Sequence, residues 1–220
     1  MAKAKETLSE KTYIHIYDDI TGQRLVCGQK LTLKSLSEMY GVSFTPIREA
    51  LSRLSENGLV SYYSNCGVKV IDFTDDDIID LYRFASELDA LAVSYCSRFP
   101  LQDALRQALR ENAEAGNRAL SCGEIAEWEE HSKQFHKIFY AYAQSPCLDE
   151  ADAKLRPRLE LLSCIYYQSA SREKINKEHN EILRLVLDNN FEAAQKLMRT
   201  HLECDMLYAI KGYHAYKENL

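Results

Sequence analysis

The chain has 220 residues, 46% of them hydrophobic, enough to build one large core or two smaller ones and too many for a disordered chain. No run approaches the roughly 20 consecutive apolar residues of a membrane span, and the start, Met1-Ala2-Lys3-Ala4-Lys5-Glu6, lacks the apolar stretch of a signal peptide, so a cytoplasmic protein with no membrane partner is expected. The net charge of −6 is uneven: residues 1–73 carry nine Lys and Arg against eight Asp and Glu, and residues 74–220 carry eighteen against twenty-five, so the acidity belongs to the second part and a basic face for nucleic acid in the first is not excluded.

The first predicted element places Tyr13, Ile16, Tyr17 and Ile20 on one helical face, and Gly22 and Gly28 punctuate the stretch after it. A short helix is expected over Leu33 to Tyr40, a tight turn at Gly41, and a third helix from about Ser43 to Asn57. Two helices joined by a short glycine turn form a helix-turn-helix. The third helix buries Ile47, Ala50, Leu51 and Leu54 and leaves Thr45, Arg48, Ser52 and Arg53 on the other side. Ser43 or Thr45 is its N-cap, with Pro46 in the first turn under either choice, where its missing N–H costs little.

After Gly58 the texture changes to Leu59-Val60-Ser61-Tyr62-Tyr63, then Ser64-Asn65-Cys66-Gly67, then Val68-Lys69-Val70-Ile71, which reads as strand, turn, strand: a β-hairpin wing. Asp75-Asp76-Asp77, after Thr74 as cap, marks a new helix start, since carboxylates favour a helix N-terminus. The domain boundary is placed there, giving a winged helix-turn-helix over 1–73 and a second domain over 74–220. From that point only helical periodicity is found, broken at Pro100, Gly123, Pro146, near Ser171 and at Asn189-Asn190, so the second domain is expected to be an all-α bundle of about six helices and the whole chain mainly α. Seven cysteines (Cys27, Cys66, Cys96, Cys122, Cys147, Cys164, Cys204) are odd in number, scattered and without a Cys-x-x-Cys pair, and are expected to be buried free thiols.

Arg48 suits guanine O6/N7 or a phosphate, and the Ser43 and Thr45 hydroxyls suit phosphate oxygens. Taken singly these are ordinary solvated residues; the ordered set of helix, turn, helix and hairpin points to double-stranded operator DNA. In the helical part, three of six histidines sit on apolar faces: His136 with Trp128, Phe135, Phe139 and Ala143; His179 with Ile175, Ile182 and Val186; His201 with Ala194, Leu197 and Met198. One inward histidine is usually a hydrogen-bonded core residue, but three on three helices match the way bundle cores build metal and ligand sites. His15, His131 and His214 are left as ordinary residues, His131 because it falls on roughly the opposite face from His136.

Gly28-Gln29-Lys30-Leu31, the run Leu36 to Leu54 with its Thr45-Pro46-Ile47-Arg48-Glu49-Ala50-Leu51 core, and Gly58-Leu59-Val60 resemble the GntR family signature of bacterial transcription regulators, and the second domain resembles the effector domain of the FadR type (the FCD domain), in its shorter VanR-like variety. The resemblance implies a ligand-responsive homodimeric repressor, with DNA contacts at Lys34, Ser43, Thr45 and Arg48 and with Gly67 at the wing tip approaching the minor groove. Phe44 stands where the family commonly has arginine or another polar residue, so apolar contact replaces a polar one there. Such domains often hold a divalent metal (Zn, Ni or Mn) with three histidines, matching His136, His179 and His201, and an aspartate whose place here is Ser132. That substitution leaves a ligand position for water or an effector carboxylate. Arg83 matches a family position that tends to face the pocket and suits a small organic acid; its alternative is an i, i+4 pair with Glu87 on a solvated face. The rivals are a metal-free regulator whose histidines bind the effector directly and a three-histidine zinc hydrolase, the latter disfavoured because no general base is evident on the His136 face and a winged helix serves no purpose in hydrolysis.

Overall fold

The computed structural model describes residues 7–64, 67–98, 102–167 and 171–220. Among them are nine helices and three strands: α1 (Leu8–Thr21), β1 (Lys30–Thr32), α2 (Leu33–Tyr40), α3 (Phe44–Glu56), β2 (Val60–Ser64), β3 (Gly67–Val70), α4 (Asp75–Cys96), α5 (Gln102–Cys122), α6 (Ile125–Ala143), α7 (Pro146–Tyr166), α8 (Arg172–Leu187) and α9 (Phe191–Glu218). The expected fold class, a winged helix-turn-helix followed by a six-helix bundle, is the one found. Contacts divide the chain into two compact units, residues 1–74 with 153–164 and residues 75–152 with 165–220. The sequence reading draws a single cut at 73/74; a segment that joins a unit from far along the chain leaves no local signal.

In the first unit each helix boundary has a local cause. Thr32 accepts from the Ser35 backbone N–H while the Ser35 hydroxyl accepts from Thr32 N–H, a reciprocal capping box that starts α2. Gly41, at φ +65°, ends it in the left-handed conformation that a side chain disfavours. α3 follows three residues later, at Phe44, and Ile47, Ala50, Leu51 and Leu54 are completely or almost completely buried against α1 and α2. The sheet order is β1-β3-β2, all antiparallel, with Leu31 opposite Val68 and Val60 opposite Val70. β1 is not among the expected elements: at three residues it is too short to show a period. The turn at 65–66 lies outside the described residues, as do Cys66 and the expected break at Pro100.

In the second unit the remaining breaks fall at helix ends. Gly123 takes φ +75° after α5, Pro146 opens α7, Ser171 caps α8 through its hydroxyl on Lys174 N–H, and Asn190 caps α9 through its side chain on Ala193 N–H. α4 packs most extensively on α9, α5 on α6, and α8 bridges α5 and α9. Trp128, Phe135, Phe139, Ile182 and Met198 fill the centre, and these helices also carry the three buried histidines. No described helix is long and apolar enough to cross a membrane.

The cysteines correct the sequence expectation. Cys27 and Cys96 are buried, Cys164 and Cys204 partly so, but Cys122 and Cys147 are exposed, because both sit in a terminal turn of a helix and not on its apolar stripe. Burial pushes the Cys96 thiol up to about 12, whereas thiolate is the reactive form. Brief alkylation of the native protein is expected to label Cys122 and Cys147 and to spare Cys27 and Cys96 until denaturant is added, as read by peptide mass mapping.

Candidate functional site: an exposed reading helix and a buried histidine centre

Ser43 holds the N-cap position of α3 without a side-chain capping bond, so its hydroxyl remains open at the helix N-terminus. Ser43, Phe44, Thr45 and Arg48 are all exposed there, Phe44 at 49%, and Pro46 lies buried beneath them in the first turn. Among the described residues Arg48 forms no ion pair. Lys34 on α2 is exposed and makes only a long 3.9 Å contact with Glu38. The structure therefore gathers Lys34, Ser43, Thr45 and Arg48 at the surface of one unit, with the N–H groups of Ser43, Phe44 and Thr45 at the α3 N-terminus left for an anion, Pro46 having none.

Two neighbours differ from the expectation. Arg53 is not a reading residue: its guanidinium lies 2.6 Å from Glu10 and 4.1 Å from the centroid of the Tyr13 ring, fastening α3 to α1. Gly67 is buried as the first residue of β3; a Cβ there would stand 2.5 Å from the Tyr63 hydroxyl and 2.7 Å from the Leu31 carbonyl oxygen. Close packing of the wing is thus sufficient reason for that glycine.

In the second unit, the ring nitrogens of His136 (α6), His179 (α8) and His201 (α9) lie within 4.8 Å of one another, and all three residues are buried. His179 Nε2 and His201 Nε2 are 3.1 Å apart. Carboxylates hold the other edges: Asp89 Oδ2 is 2.7 Å from His136 Nδ1, and Glu178 Oε2 is 2.8 Å from His201 Nδ1. Asp89 Oδ1 accepts from the Tyr140 hydroxyl at 2.6 Å. With Nδ1 of His136 and of His201 each held by a carboxylate, Nε2 is the nitrogen that an ion would use, the arrangement by which outer carboxylates orient metal-binding imidazoles.

Burial pulls His201 towards its neutral form, but Asp205, Glu178 and Asp89 outweigh it and hold its pKa above the usual histidine value. Burial, together with His201 and His136, holds His179 well below. Burial raises the Asp205 carboxyl against the pull of His201 and Tyr166.

These residues fit a divalent ion. Three imidazoles from three helices converge, two are oriented by carboxylates, and Asp205 Oδ1 is buried with no hydrogen-bond partner. Ser132, where the aspartate was expected, is buried and shares a 3.1 Å hydrogen bond with the Tyr167 hydroxyl.

Beside the histidines is a narrow open recess, lined by residues that include Ser132, His179, Trp128, Asn112, Asn176 and Asn180. Arg83 is not brought to it. That residue is exposed on α4, whose inward face runs through Tyr82, Ala85, Asp89 and Val93; six residues before Asp89, at 3.6 residues per turn, it projects about 120° away. Nor does Glu87 take the expected i, i+4 partner, since it pairs with Arg199 at 3.0 Å. His131, which sequence reasoning set aside, lines the recess and lies 3.2 Å from Asn112. The carboxylates were also missed, although Asp89 continues the inward stripe of α4 and Asp205 lies one turn after His201.

The different surroundings of the two α3 arginines give distinct expectations. Arg53→Ala loses a half-exposed ion pair and a ring contact and is expected to destabilise the protein by about 1 kcal/mol, whereas Arg48→Ala is expected to melt within a degree of the parent in thermal denaturation.

Residues 8–70 match the family model described as bacterial regulatory proteins, gntR family, and residues 80–203 match that of the FCD domain. YdhC of Bacillus subtilis (strain 168), named as an HTH-type transcriptional regulator, is 25% identical over 194 residues, covering 87% of this chain and 86% of its own length. The HTH-type transcriptional repressor GlaR of Escherichia coli (strain K12) is 24% identical over 203 residues, covering 86% and 90%. Among solved structures, E. coli McbR/YncC has a similar fold, with a TM-score of 0.75 at 19% identity over 95% of this chain and 100% of that one. These matches set aside the hydrolase alternative: the chain belongs to the gntR family of bacterial regulatory proteins, with an FCD domain, and is a DNA-binding transcription regulator.

Proposed function

We propose that this regulator acts as a homodimeric repressor whose affinity for operator DNA is set by a small organic acid bound at a divalent metal ion, Zn, Ni or Mn, in the helical unit. The observation that carries this reading is the convergence of His136, His179 and His201, from three helices, on one buried point beside an open recess. The ion supplies a positive docking position for an effector carboxylate. The chain's own residues do the rest. Asp89 and Glu178 fix the imidazoles, Trp128 and Phe135 exclude water, and Asn112, Asn176 and Asn180 offer carboxamide donors and acceptors to the remainder of the ligand. No lysine or arginine is among the described lining residues, so charge neutralisation of an acid falls to the metal and the histidines. This replaces the role expected of Arg83.

On the DNA side the reading assigns Arg48 to a base edge or phosphate, Lys34, Ser43 and Thr45 to backbone phosphates, and exposed Phe44 to apolar contact. Two-fold symmetry of a dimer calls for a palindromic operator. The repressor polarity is supported by GlaR, which is named as a repressor. Regulation requires the effector to bind one placement of the DNA-binding units better than another; equal affinity would shift nothing.

With an operator isolated by in vitro selection, Arg48→Ala is expected to weaken binding by about 1–3 kcal/mol, measured by fluorescence anisotropy at fixed salt. Unchanged affinity removes Arg48 from the reading face. His179→Ala is expected to keep operator affinity without effector while abolishing the response to whichever small carboxylate releases the parent from DNA. A retained response in that variant, or in the parent stripped by chelator, favours the metal-free reading.

A further inference from the structure

Three carboxylates border the histidine centre, and their hydrogen bonding separates them. Asp89 has both oxygens engaged, Oδ2 with His136 and Oδ1 with Tyr140. Glu178 binds the far edge of His201, at Nδ1. Asp205 differs. It is 4% exposed, its Oδ2 accepts from the Tyr166 hydroxyl at 2.9 Å, and its Oδ1 is buried with no hydrogen-bond partner. A buried oxygen in that condition forfeits its hydration without replacement, which costs about 1–3 kcal/mol and more for a charged group, so a partner is required.

The position of Asp205 says what that partner is. It lies four residues after His201 on α9, hence on the same face one turn along, and its Oδ2 is 3.6 Å from His201 Nε2, the nitrogen that also faces His179. Around a tetrahedral ion with bonds of about 2.1 Å, neighbouring ligand atoms stand roughly 3.4 Å apart. The separation of Oδ2 from this one imidazole is close to that, and the carboxylate borders the group of three histidines, whose nitrogens lie within 4.8 Å of one another, without belonging to it. Ser132, in contrast, spends its hydroxyl on Tyr167 and carries no charge.

Resting on the metal-centre reading above, we infer that Asp205 is the fourth protein ligand of the ion, so that the anionic ligand expected from α6 at position 132 is supplied here from α9. Three neutral imidazoles and one carboxylate would leave a divalent ion with a net charge of +1, which the two outer carboxylates, Asp89 and Glu178, more than offset. An effector carboxylate would then have to enter as a fifth ligand, expanding the shell beyond the four protein donors.

The test uses full-length protein stripped of metal, with Zn²⁺ affinity measured by competition against a chromophoric chelator and Co²⁺ absorption as an independent readout of coordination. The expected result is one ion per chain, an affinity loss of more than about 100-fold for Asp205→Asn, a smaller loss of about 10–100-fold for the outer residue in Asp89→Asn, and recovery with an altered Co²⁺ spectrum in Asp205→Asn/Ser132→Asp. Thermal melts of the metal-free variants establish that each is folded. An Asp205→Asn protein that binds Zn²⁺ within threefold of the parent with an unchanged Co²⁺ spectrum overturns the assignment while leaving the histidine centre standing. A parent that binds neither ion overturns both.

Discussion

Buried imidazoles must find partners, because the bundle interior offers no water to satisfy their nitrogens. In this protein the requirement is met collectively. His179 and His201 share a hydrogen bond, burial lowering the pKa of the first while the carboxylates around the second raise its own, and His136 leans on Asp89, which is anchored in turn by Tyr140. The network draws side chains from α4, α6, α8 and α9, so the packing of four helices depends on it. One oxygen, Asp205 Oδ1, is left over. A network that engages both oxygens of Asp89 and orphans one of Asp205 has the character of a binding site and not of a packing solution alone.

The reading helix depends on a complementary constraint. It has to be held rigidly from behind while its N-terminal residues stay unsatisfied in front. The Thr32–Ser35 capping box starts the preceding helix α2 and the left-handed Gly41 ends it, the buried Pro46 lies in the first turn of α3, and the Arg53 contacts with Glu10 and Tyr13 fasten its flank to α1. Ser43, lacking a capping bond, and Arg48, lacking an ion pair among the described residues, are the groups the fold leaves unspent at that end. A helix end arranged this way suits a ligand rich in anionic oxygen, and DNA is one.

Much of this was legible in the sequence, for identifiable reasons. Helix boundaries at Gly41, Gly123, Pro146, Ser171 and Asn190 were readable because each residue acts locally, through a backbone angle or a cap. The three histidines were readable because each sits among apolar residues at helical spacing. β1 was not, since three residues carry no period. Asp89 and Asp205 were not, because an acidic residue on an inward stripe looks like a break in the stripe until its partners from other helices are known. Arg83 shows the converse: similarity by position placed it at the pocket, while the helical phase set by Tyr82, Ala85 and Asp89 turns it to the surface. Arg53 likewise looks like a free polar residue on the outer side of α3 and becomes a fastening only when α1 is in place.

The central claim, that the buried histidines form a metal-dependent sensory centre in a dimeric regulator, is tested most directly by native mass spectrometry of the full-length chain purified without chelator. The account predicts a dimer carrying one divalent ion per chain, with any bound small acid lost or retained together with that ion. A dimer free of metal that still retains a small acid would contradict it, leaving a DNA-binding regulator whose histidines meet the effector directly.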